Sequence, residues 1–233
     1  MTSPASRPAP DDEPLGPAGP MTLEEYLAFE EASATRHEFV DGYAYPMDGT
    51  AMGGGTRAHN QIIVNISGLL WLRTRGTKCG TYNQSFRLHT PRGRTYYPDL
   101  MVSCGPKPPG GALHLDDPCL AVEVLSPSTA RTDTTEKWES YQELPTLDAY
   151  LTVESTWRAV HRRWRDADGG WRVEIIAGAD GAVPLPCPAG GVLTLEEIYQ
   201  DTDRSPEPPT SPHLRRVREA MTAYDAAAGC EAS

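Results

Sequence analysis

The chain has no apolar run long enough to cross a bilayer, which takes about 20 consecutive residues. Its first residues also lack the apolar segment of a secretory signal. The sequence therefore predicts a protein that neither spans a membrane nor is exported, and we expect a cytoplasmic location.

Cysteine is scarce, and its spacing matches no local motif. The chain has five cysteines, and no two of them form a CxxC pair. A zinc site of the usual local kind is therefore not indicated, and an odd number does not indicate a disulfide framework. We expect reduced thiols, as is usual in the cytoplasm, at positions Cys79, Cys104, Cys119, Cys187 and Cys230.

Basic residues are outnumbered by acidic ones. The chain has 21 Lys and Arg against 32 Asp and Glu, and its formal net charge is −11. Broad, non-specific binding to nucleic acid needs a positive surface that releases counterions. The charge therefore excludes that class of binding, and any contact with nucleic acid must be local or must be helped by a bound metal.

Composition divides the 233 residues into one domain between two tails. Residues 1–20 are rich in Pro, Ala and Gly, which predicts a disordered N-terminal tail. Residues 21–200 are long enough to form one core. Residues 201–233 begin with a proline-rich linker, after which a short tail helix is expected from about 213 to 228.

The order of the predicted elements is typical of an α/β protein. Thr22 and Glu25 have the spacing of a capping box at the start of a helix. Asp41 and Gly42 suit a tight hairpin turn. We expect one central mixed β-sheet flanked by α-helices, with further helices over 57–75, 129–144 and 192–199, strands over 81–90, 96–104, 120–125 and 148–154, and a hairpin over 158–177.

Two acidic residues fall inside apolar runs, and a lysine follows them. Asp99 lies in the strand predicted over 96–104, and Glu123 interrupts the most apolar run of the chain. Lys137 follows on a predicted helix, four residues after Asp133. A buried carboxylate is costly unless a positive group pairs with it. Two such acids with a lysine indicate a divalent-metal site for chemistry on a phosphate or an acyl group.

Several motifs together resemble the Uma2-type (DUF820) family. They are HEFVDG, a helix that opens with His59, YYPDLMV, LAVEVLSPSTA and the D-x3-K-x3-Y helix that follows. That family belongs to the PD-(D/E)XK, restriction-endonuclease-like nuclease superfamily, and the resemblance covers about residues 21–200. It implies a central mixed sheet flanked by helices and a Mg²⁺-dependent nuclease site, with Mn²⁺ as an alternative ion.

The resemblance also implies a set of site residues. Asp99, after Pro98, and Glu123 would be the catalytic acids that bind the metal. The superfamily places its lysine two residues after the second acid, where this chain has Leu125, so the resemblance implies Lys137 instead.

Three further residues complete the implied site. Glu38 matches an acid early in the family's motif set and would be the fourth catalytic residue. His59 and Asp133 would be supporting residues. His59 could equally be a capping or surface residue of its helix, and Asp133 could act only by orienting Lys137.

The leading hypothesis is an endonuclease that hydrolyses phosphodiester bonds in DNA. One alternative is an inactive binding or assembly module in which Glu123 and Lys137 form an internal ion pair. Another is a metal-dependent hydrolase of a different phosphate ester, which the acidity of the chain favours. The extended hairpin edge over 158–177 also suggests a homodimer.

Other patterns admit structural interpretations. Tyr141 and Tyr97 are expected to pack rather than to take part in chemistry. The HRRWR stretch, residues 161–165, could bind a single strand through alternating aromatic and basic residues. Its alternation also predicts the solvated face of a hairpin, which we favour.

Overall fold

The computed structural model describes residues 17–47, 55–126 and 130–205. The predicted tail helix and most of the predicted disordered tail lie outside these residues. The chain divides into two compact units, with the boundary between Met52 and Gly53. The predicted domain limits at 21 and 200 stay a prediction. Among the described residues, no helix combines the length and the apolar character that crossing a membrane requires.

The first unit opens with the predicted helix, α1 (Leu23–Ala32). The capping box is present: the Thr22 hydroxyl accepts a hydrogen bond from the Glu25 amide at 3.2 Å, and the Glu25 carboxylate accepts one from the Thr22 amide at 2.7 Å. These bonds satisfy two amides that have no partner within the helix. The hydroxyl of the buried Tyr26 donates to the His37 carbonyl at 2.6 Å, which ties α1 to the strand that follows.

The predicted hairpin follows α1. Strand β1 (His37–Val40) pairs antiparallel with β2 (Tyr43–Pro46). The turn between them has Asp41 at φ 50° and Gly42 at φ 91°. Both angles are positive, as the Asp-Gly pair predicts for a turn that matches the twist of the strands.

The second unit contains the remaining helices and strands. In chain order these are α2 (Arg57–Thr74), β3 (Gly80–Asn83), β4 (Arg87–His89), β5 (Thr95–Tyr96), β6 (Leu100–Ser103), β7 (His114–Leu115), β8 (Leu120–Leu125), α3 (Ala130–Thr134), α4 (Glu136–Tyr141), β9 (Ala149–Glu154), β10 (Ala159–Arg165), β11 (Trp171–Ala177), β12 (Ala182–Pro184), β13 (Val192–Thr194) and α5 (Leu195–Ile198).

The main sheet of this unit has six strands in the order β11-β10-β9-β8-β6-β3. Strands β8 and β9 are parallel, and the other neighbours are antiparallel. A parallel pair needs a crossover, and α3 and α4 provide it between β8 and β9. The sheet is therefore mixed and carries helices, as the sequence predicts.

The two faces of β8 have different neighbours. Leu120, Val122 and Val124 belong to the same buried cluster as Ile62 and Ile66 of α2. Side chains alternate between the faces of a strand, so the residues between them point the other way. The apolar core thus lies on the α2 side, and Glu123 is directed to the opposite side.

The strands predicted over 81–90 and 96–104 are each divided in two, so the expectation of one sheet is wrong. Strand β4 pairs antiparallel with β5 and parallel with β7, apart from the main sheet. A turn after Asn83, whose side chain accepts hydrogen bonds from Ser85, ends β3. Pro98 has no amide hydrogen to donate to a ladder and stands in the break between β5 and β6.

The helix predicted over 129–144 is also interrupted, and it ends earlier, at Tyr141. Its described part, from Ala130 on, consists of α3 and α4 separated at Thr135. The hydroxyls of Thr134 and Thr135 donate at 2.6 Å to the carbonyls of Ala130 and Arg131. Such bonds compete with the helical ladder and bend helices. Over 192–199, the first residues form β13, and the helix begins only at Leu195, after the Thr194 cap.

The interpretation that residues 161–165 form the solvated face of a hairpin is wrong for two of them. His161 and Arg163 are buried, and Arg162 and Trp164 are partly buried. The Arg163 guanidinium lies over the Trp138 ring, 5.1 Å from its centroid. Because this stretch has a helix packed against it, its basic residues hold the fold rather than face solvent.

The expectation of unpaired, reduced cysteines is wrong for four of the five. Cys79 is bonded to Cys104, and Cys119 to Cys187. The partners are 25 and 68 residues apart in the chain. No local motif could have indicated the pairs, because the tertiary structure brings them together. Cys230 lies outside the described residues.

A matched pair of glycine substitutions tests the backbone of the second unit. Gly169 has φ +82° and Gly68 lies within α2, and an added Cβ would meet no atom within 4 Å at either position. We expect Gly169→Ala to destabilise by about 1 kcal/mol, because a side chain disfavours positive φ. Gly68→Ala should stabilise by up to about 1 kcal/mol through helix propensity. Urea unfolding measures both, and changes of the same sign would contradict the assignment.

Candidate functional site

The register of the main sheet brings the two predicted acids together. Leu100 of β6 lies opposite Val122 of β8. Asp99 directly precedes β6 and is therefore beside Glu123, and its amide donates to Oε2 of Glu123 at 3.3 Å. Asp99 stands in a bend rather than inside a strand, so that part of the prediction is wrong. The bend directs its Oδ2 to the Val124 amide, which donates to it at 2.7 Å.

The ammonium of Lys137 lies between two carboxylates. Its Nζ is 3.0 Å from Oε1 of Glu123 and 3.0 Å from Oδ1 of Asp133. Lys137, Glu123 and Asp133 are only 6%, 3% and 2% exposed, respectively. Tyr141, expected only to pack, also donates its hydroxyl to Oε1 of Glu123 at 3.3 Å. The structure thus places the Lys137 ammonium between Glu123 and Asp133 and not in solvent.

Contacts to neighbouring strands hold the broken helix in this position. The Tyr150 hydroxyl on β9 donates to the Asp133 carbonyl at 2.7 Å, at the end of α3. On α4, Trp138 stacks with Tyr150 at 6.2 Å between ring centroids and lies under the Arg163 guanidinium. Lys137 is therefore presented by an anchored segment, which limits the rotamers open to its long side chain.

His59 reaches the site from α2. Its Nε2 is 2.9 Å from the Val124 carbonyl, which can only accept, so Nε2 carries the proton. The same residue, Val124, donates its amide to Asp99. His59 and Asp99 thus bind opposite ends of one residue of β8. The Thr56 hydroxyl caps α2 by accepting from the His59 amide at 3.2 Å, so the His59 side chain is not needed as a cap.

The site carries more negative than positive charge. Asp99, Glu123 and Asp133 face a single ammonium, that of Lys137, within the described residues of this cluster. Burial raises the pKa of Asp99, while the Val124 amide, Lys137 and His59 act to lower it. An excess of buried negative charge is costly. Protonation of Asp99 or binding of a divalent cation would relieve it.

The donors at the site suit a hard cation. Mg²⁺ is bound in proteins by one or two carboxylates together with water, and Asp99 lies beside Glu123 where β6 begins opposite β8. Oε1 of Glu123 accepts from Lys137 and Tyr141, whereas Oε2 accepts from the Asp99 amide. The two side chains thus offer the type of donor that Mg²⁺ prefers.

The register also reveals polar residues that the sequence does not single out. Glu123 lies opposite Thr152 of β9, and Thr152 lies opposite His161 of β10. Thr152 and His161 are both buried, and Nε2 of His161 is 3.4 Å from the Glu154 carboxylate. They extend the polar row from Glu123 across two more strands. A sheet register, which single residues do not encode, was needed to find them.

Glu38 lies on β1 in the first unit, where it pairs with Tyr45 across the hairpin. A role for Glu38 in the site stays a prediction. Tyr97 is buried between β5 and β6, in agreement with the packing interpretation.

Comparisons with known proteins agree with these features. The Uma2 family model, described as "Putative restriction endonuclease", matches residues 23–196. The uncharacterised protein slr1290 of Synechocystis sp. is 35% identical over 168 residues, which cover 72% of this chain and 86% of that protein. The uncharacterised protein sll1609 of the same organism is 28% identical over 166 residues, which cover 70% and 91%.

A solved structure shares the fold. It is described as a "putative nuclease belonging to DUF820" from Anabaena variabilis, and it superposes with a TM-score of 0.62. The match covers 77% of this chain and 98% of that chain at 17% identity. The likeness confirms the predicted architecture.

Replacing Lys137 tests whether the ion pair is buried as described. Lys137→Met removes the ammonium and leaves Glu123 and Asp133 uncompensated, so we expect a loss of about 3–5 kcal/mol in the free energy of unfolding. Lys107→Met, at an exposed lysine, should change it by less than about 0.5 kcal/mol. Chemical denaturation measures both, and equal effects would show that Lys137 faces solvent.

Replacing Asp99 tests the charge excess. Folding raises the pKa of Asp99 above its ordinary value of 3.8, so the folded protein favours the protonated carboxyl. The stability that this preference contributes is fully present below pH 3.8 and is lost as the pH rises through the pKa of the folded state. Asp99→Asn keeps an acceptor for the Val124 amide without the charge, so its melting temperature at neutral pH in EDTA should exceed that of the wild type.

Magnesium should make the wild type melt at a higher temperature than Asp99→Asn. Mg²⁺ at 100 times its Kd would stabilise the wild type by about 2.7 kcal/mol, and Asp99→Asn should gain much less. Thermal denaturation with EDTA or MgCl₂ makes the comparison. Equal gains in both proteins would place the ion elsewhere.

Proposed function

Since the chain belongs to the Uma2 family, whose model is described as "Putative restriction endonuclease", we propose that it is a Mg²⁺-dependent endonuclease that hydrolyses phosphodiester bonds in DNA. The observation that supports the proposal is the meeting of Asp99, Glu123 and Lys137 in one buried cluster. This cluster has adjacent carboxylates for a metal and a fixed ammonium beside them.

The acids have the binding role in this proposal. Asp99 and Glu123 would hold Mg²⁺, or Mn²⁺ in its place, through their carboxylate oxygens. The bound ion would supply a water of lowered pKa and charge stabilisation at the phosphoryl group. The Val124 amide fixes Oδ2 of Asp99, so this carboxylate is oriented before any ligand arrives.

Lys137 and its neighbours have the electrostatic role. The ammonium stands next to the metal-binding carboxylate of Glu123, where it can stabilise negative charge that develops on a phosphate oxygen. Asp133 holds the same Nζ from the other side and so orients it. His59 supports the Val124 carbonyl, and Glu38 would complete the metal shell or act as the general base.

Two alternative functions make different use of the same contacts. In an inactive binding or assembly module, the ion pair of Glu123 with Lys137 would only be structural. The double bonding of Oε1 of Glu123 by Lys137 and Tyr141 favours this alternative. A hydrolase of a smaller phosphate ester would fit the net charge of −11, which repels a long polyanion.

The homodimer and the cytoplasmic location also stay proposals. A homodimer would use β11, an edge strand of the main sheet whose Val173 and Ile175 are exposed. A cytoplasmic location fits a nuclease that meets DNA within the cell.

A cleavage assay separates the three functions. We expect the purified chain to cut supercoiled DNA with Mg²⁺ or Mn²⁺ and not with EDTA. Asp99→Asn and Lys137→Met should each lose about 100-fold or more in rate, because each removes charge stabilisation at the reacting phosphate. Asp168→Asn, at an exposed turn, is the matched control and should retain full activity.

Single-stranded DNA, RNA, nucleotides and an aryl phosphate are tested in parallel. Cleavage of only the small esters would establish the phosphate-ester alternative. If the wild type leaves every substrate intact while both variants remain folded, the enzymatic proposal fails and the binding module remains.

A further inference from the structure

Four cysteines from separate parts of the chain meet at one end of the main sheet. Cys79 precedes β3, Cys104 follows β6, Cys119 precedes β8, and Cys187 lies between β12 and β13. All except Cys104 are buried, and that residue packs against the same core. The sheet therefore holds the four side chains in place without help from a local sequence motif.

The two disulfides form one cluster of sulfur atoms. Sγ of Cys119 is 3.8 Å from Sγ of Cys104, which belongs to the other disulfide. The sulfurs of Cys104, Cys119 and Cys187 all lie within 4.8 Å of one another, and Cys79 is bonded to the first of them. Three sulfurs thus form a compact group, and the fourth, that of Cys79, is attached to it through Cys104.

This cluster lies apart from the acidic site. Cys104 follows Asp99 by five residues along β6, and at about 3.4 Å per residue the two are roughly 17 Å apart. They stand at opposite ends of the strand. The sulfurs take no part in the proposed hydrolysis.

We propose that the reduced form of this cluster binds one Zn²⁺ through the thiolates of Cys79, Cys104, Cys119 and Cys187. Tetrahedral zinc bound by four sulfurs has Zn–S distances of about 2.3 Å, which separates neighbouring sulfurs by about 3.8 Å. The observed distance between Cys119 and Cys104 has this value. Thiolates are soft ligands that select zinc over magnesium, so the ion proposed for the acidic site would not compete here.

The reaction that opens the site needs a thiol reductant. Each disulfide takes two electrons and two protons to give two thiols, so both together consume two equivalents of a dithiol, which becomes a cyclic disulfide. Zn²⁺ then displaces the thiol protons as the four S–Zn bonds form. The ion would connect the same four segments that the disulfides connect, so the fold around the cluster is kept in both states.

Cobalt reports this site by its ligands. The full chain is reduced anaerobically with dithiothreitol, freed of reductant by gel filtration and titrated with Co²⁺. Thiolate ligands give Co²⁺ an intense near-ultraviolet charge-transfer band, which oxygen and nitrogen ligands do not. That band distinguishes the sulfur cluster from the acidic site and from the group of His89, His114 and Asp116, whose ligand atoms also lie within 4.8 Å of one another.

We expect the band to saturate at one Co²⁺ per reduced chain and to disappear when Zn²⁺ replaces the cobalt. Cys104→Ser and Cys187→Ser, one from each disulfide, should lose most of the band. Cys230→Ser is the matched control and should keep it, as should His114→Ala.

Three results would overturn the proposal. The reduced wild type could show no band, which would leave two purely structural disulfides. The Cys230→Ser control could lose as much of the band as Cys104→Ser does. Alkylation and mass spectrometry could find all four cysteines of the cluster free after reduction while zinc remained unbound. The wild-type titration decides the matter even if a serine variant fails to fold.

Discussion

The contact between the Lys137 ammonium and the carboxylates of Glu123 and Asp133 is the constraint on which the site depends. A carboxylate in the central strand of a sheet cannot remain ionised without such a partner. A buried ion pair of this kind usually adds little net stability compared with apolar residues of the same volume. Removal of one partner, in contrast, would leave an uncompensated charge in the central strand.

The crossover between the parallel strands delivers that ammonium. The chain leaves β8 just after Glu123, passes through α3 and α4, and returns as β9 beside the same strand. This path brings Lys137 back over the acid that precedes it by 14 residues. The break at Thr135 does not disturb the i, i+4 pairing of Asp133 with Lys137.

The strand β6 connects two chemically different ends. Asp99 stands before its first residue with hard oxygen donors, and Cys104 follows its last residue with soft sulfur donors. Hard and soft ligands select different cations. A single sheet can thus present two separate sites, and the extended backbone between them keeps them apart.

Much of the fold could be predicted because its signals are local. The Thr22–Glu25 capping box and the Asp41-Gly42 turn each involve a few neighbouring residues, and the structure contains both. The prediction of one strand over 96–104 failed because β5 pairs with β4 and is separated from β6 at Pro98. The helix from 129 to 144 was predicted unbroken because hydroxyl bonds to the preceding turn leave no mark in the apolar period.

The sequence by itself determined the chemical types at the site: two acids in apolar surroundings, a lysine and an aspartate four residues apart, and a histidine at the start of a helix. Only the tertiary structure decided that they meet. The pairing of β6 with β8 sets Asp99 beside Glu123, and the crossover turns Lys137 towards them. The same is true of the four cysteines, since spacing along the chain does not encode which strand ends become neighbours in a sheet.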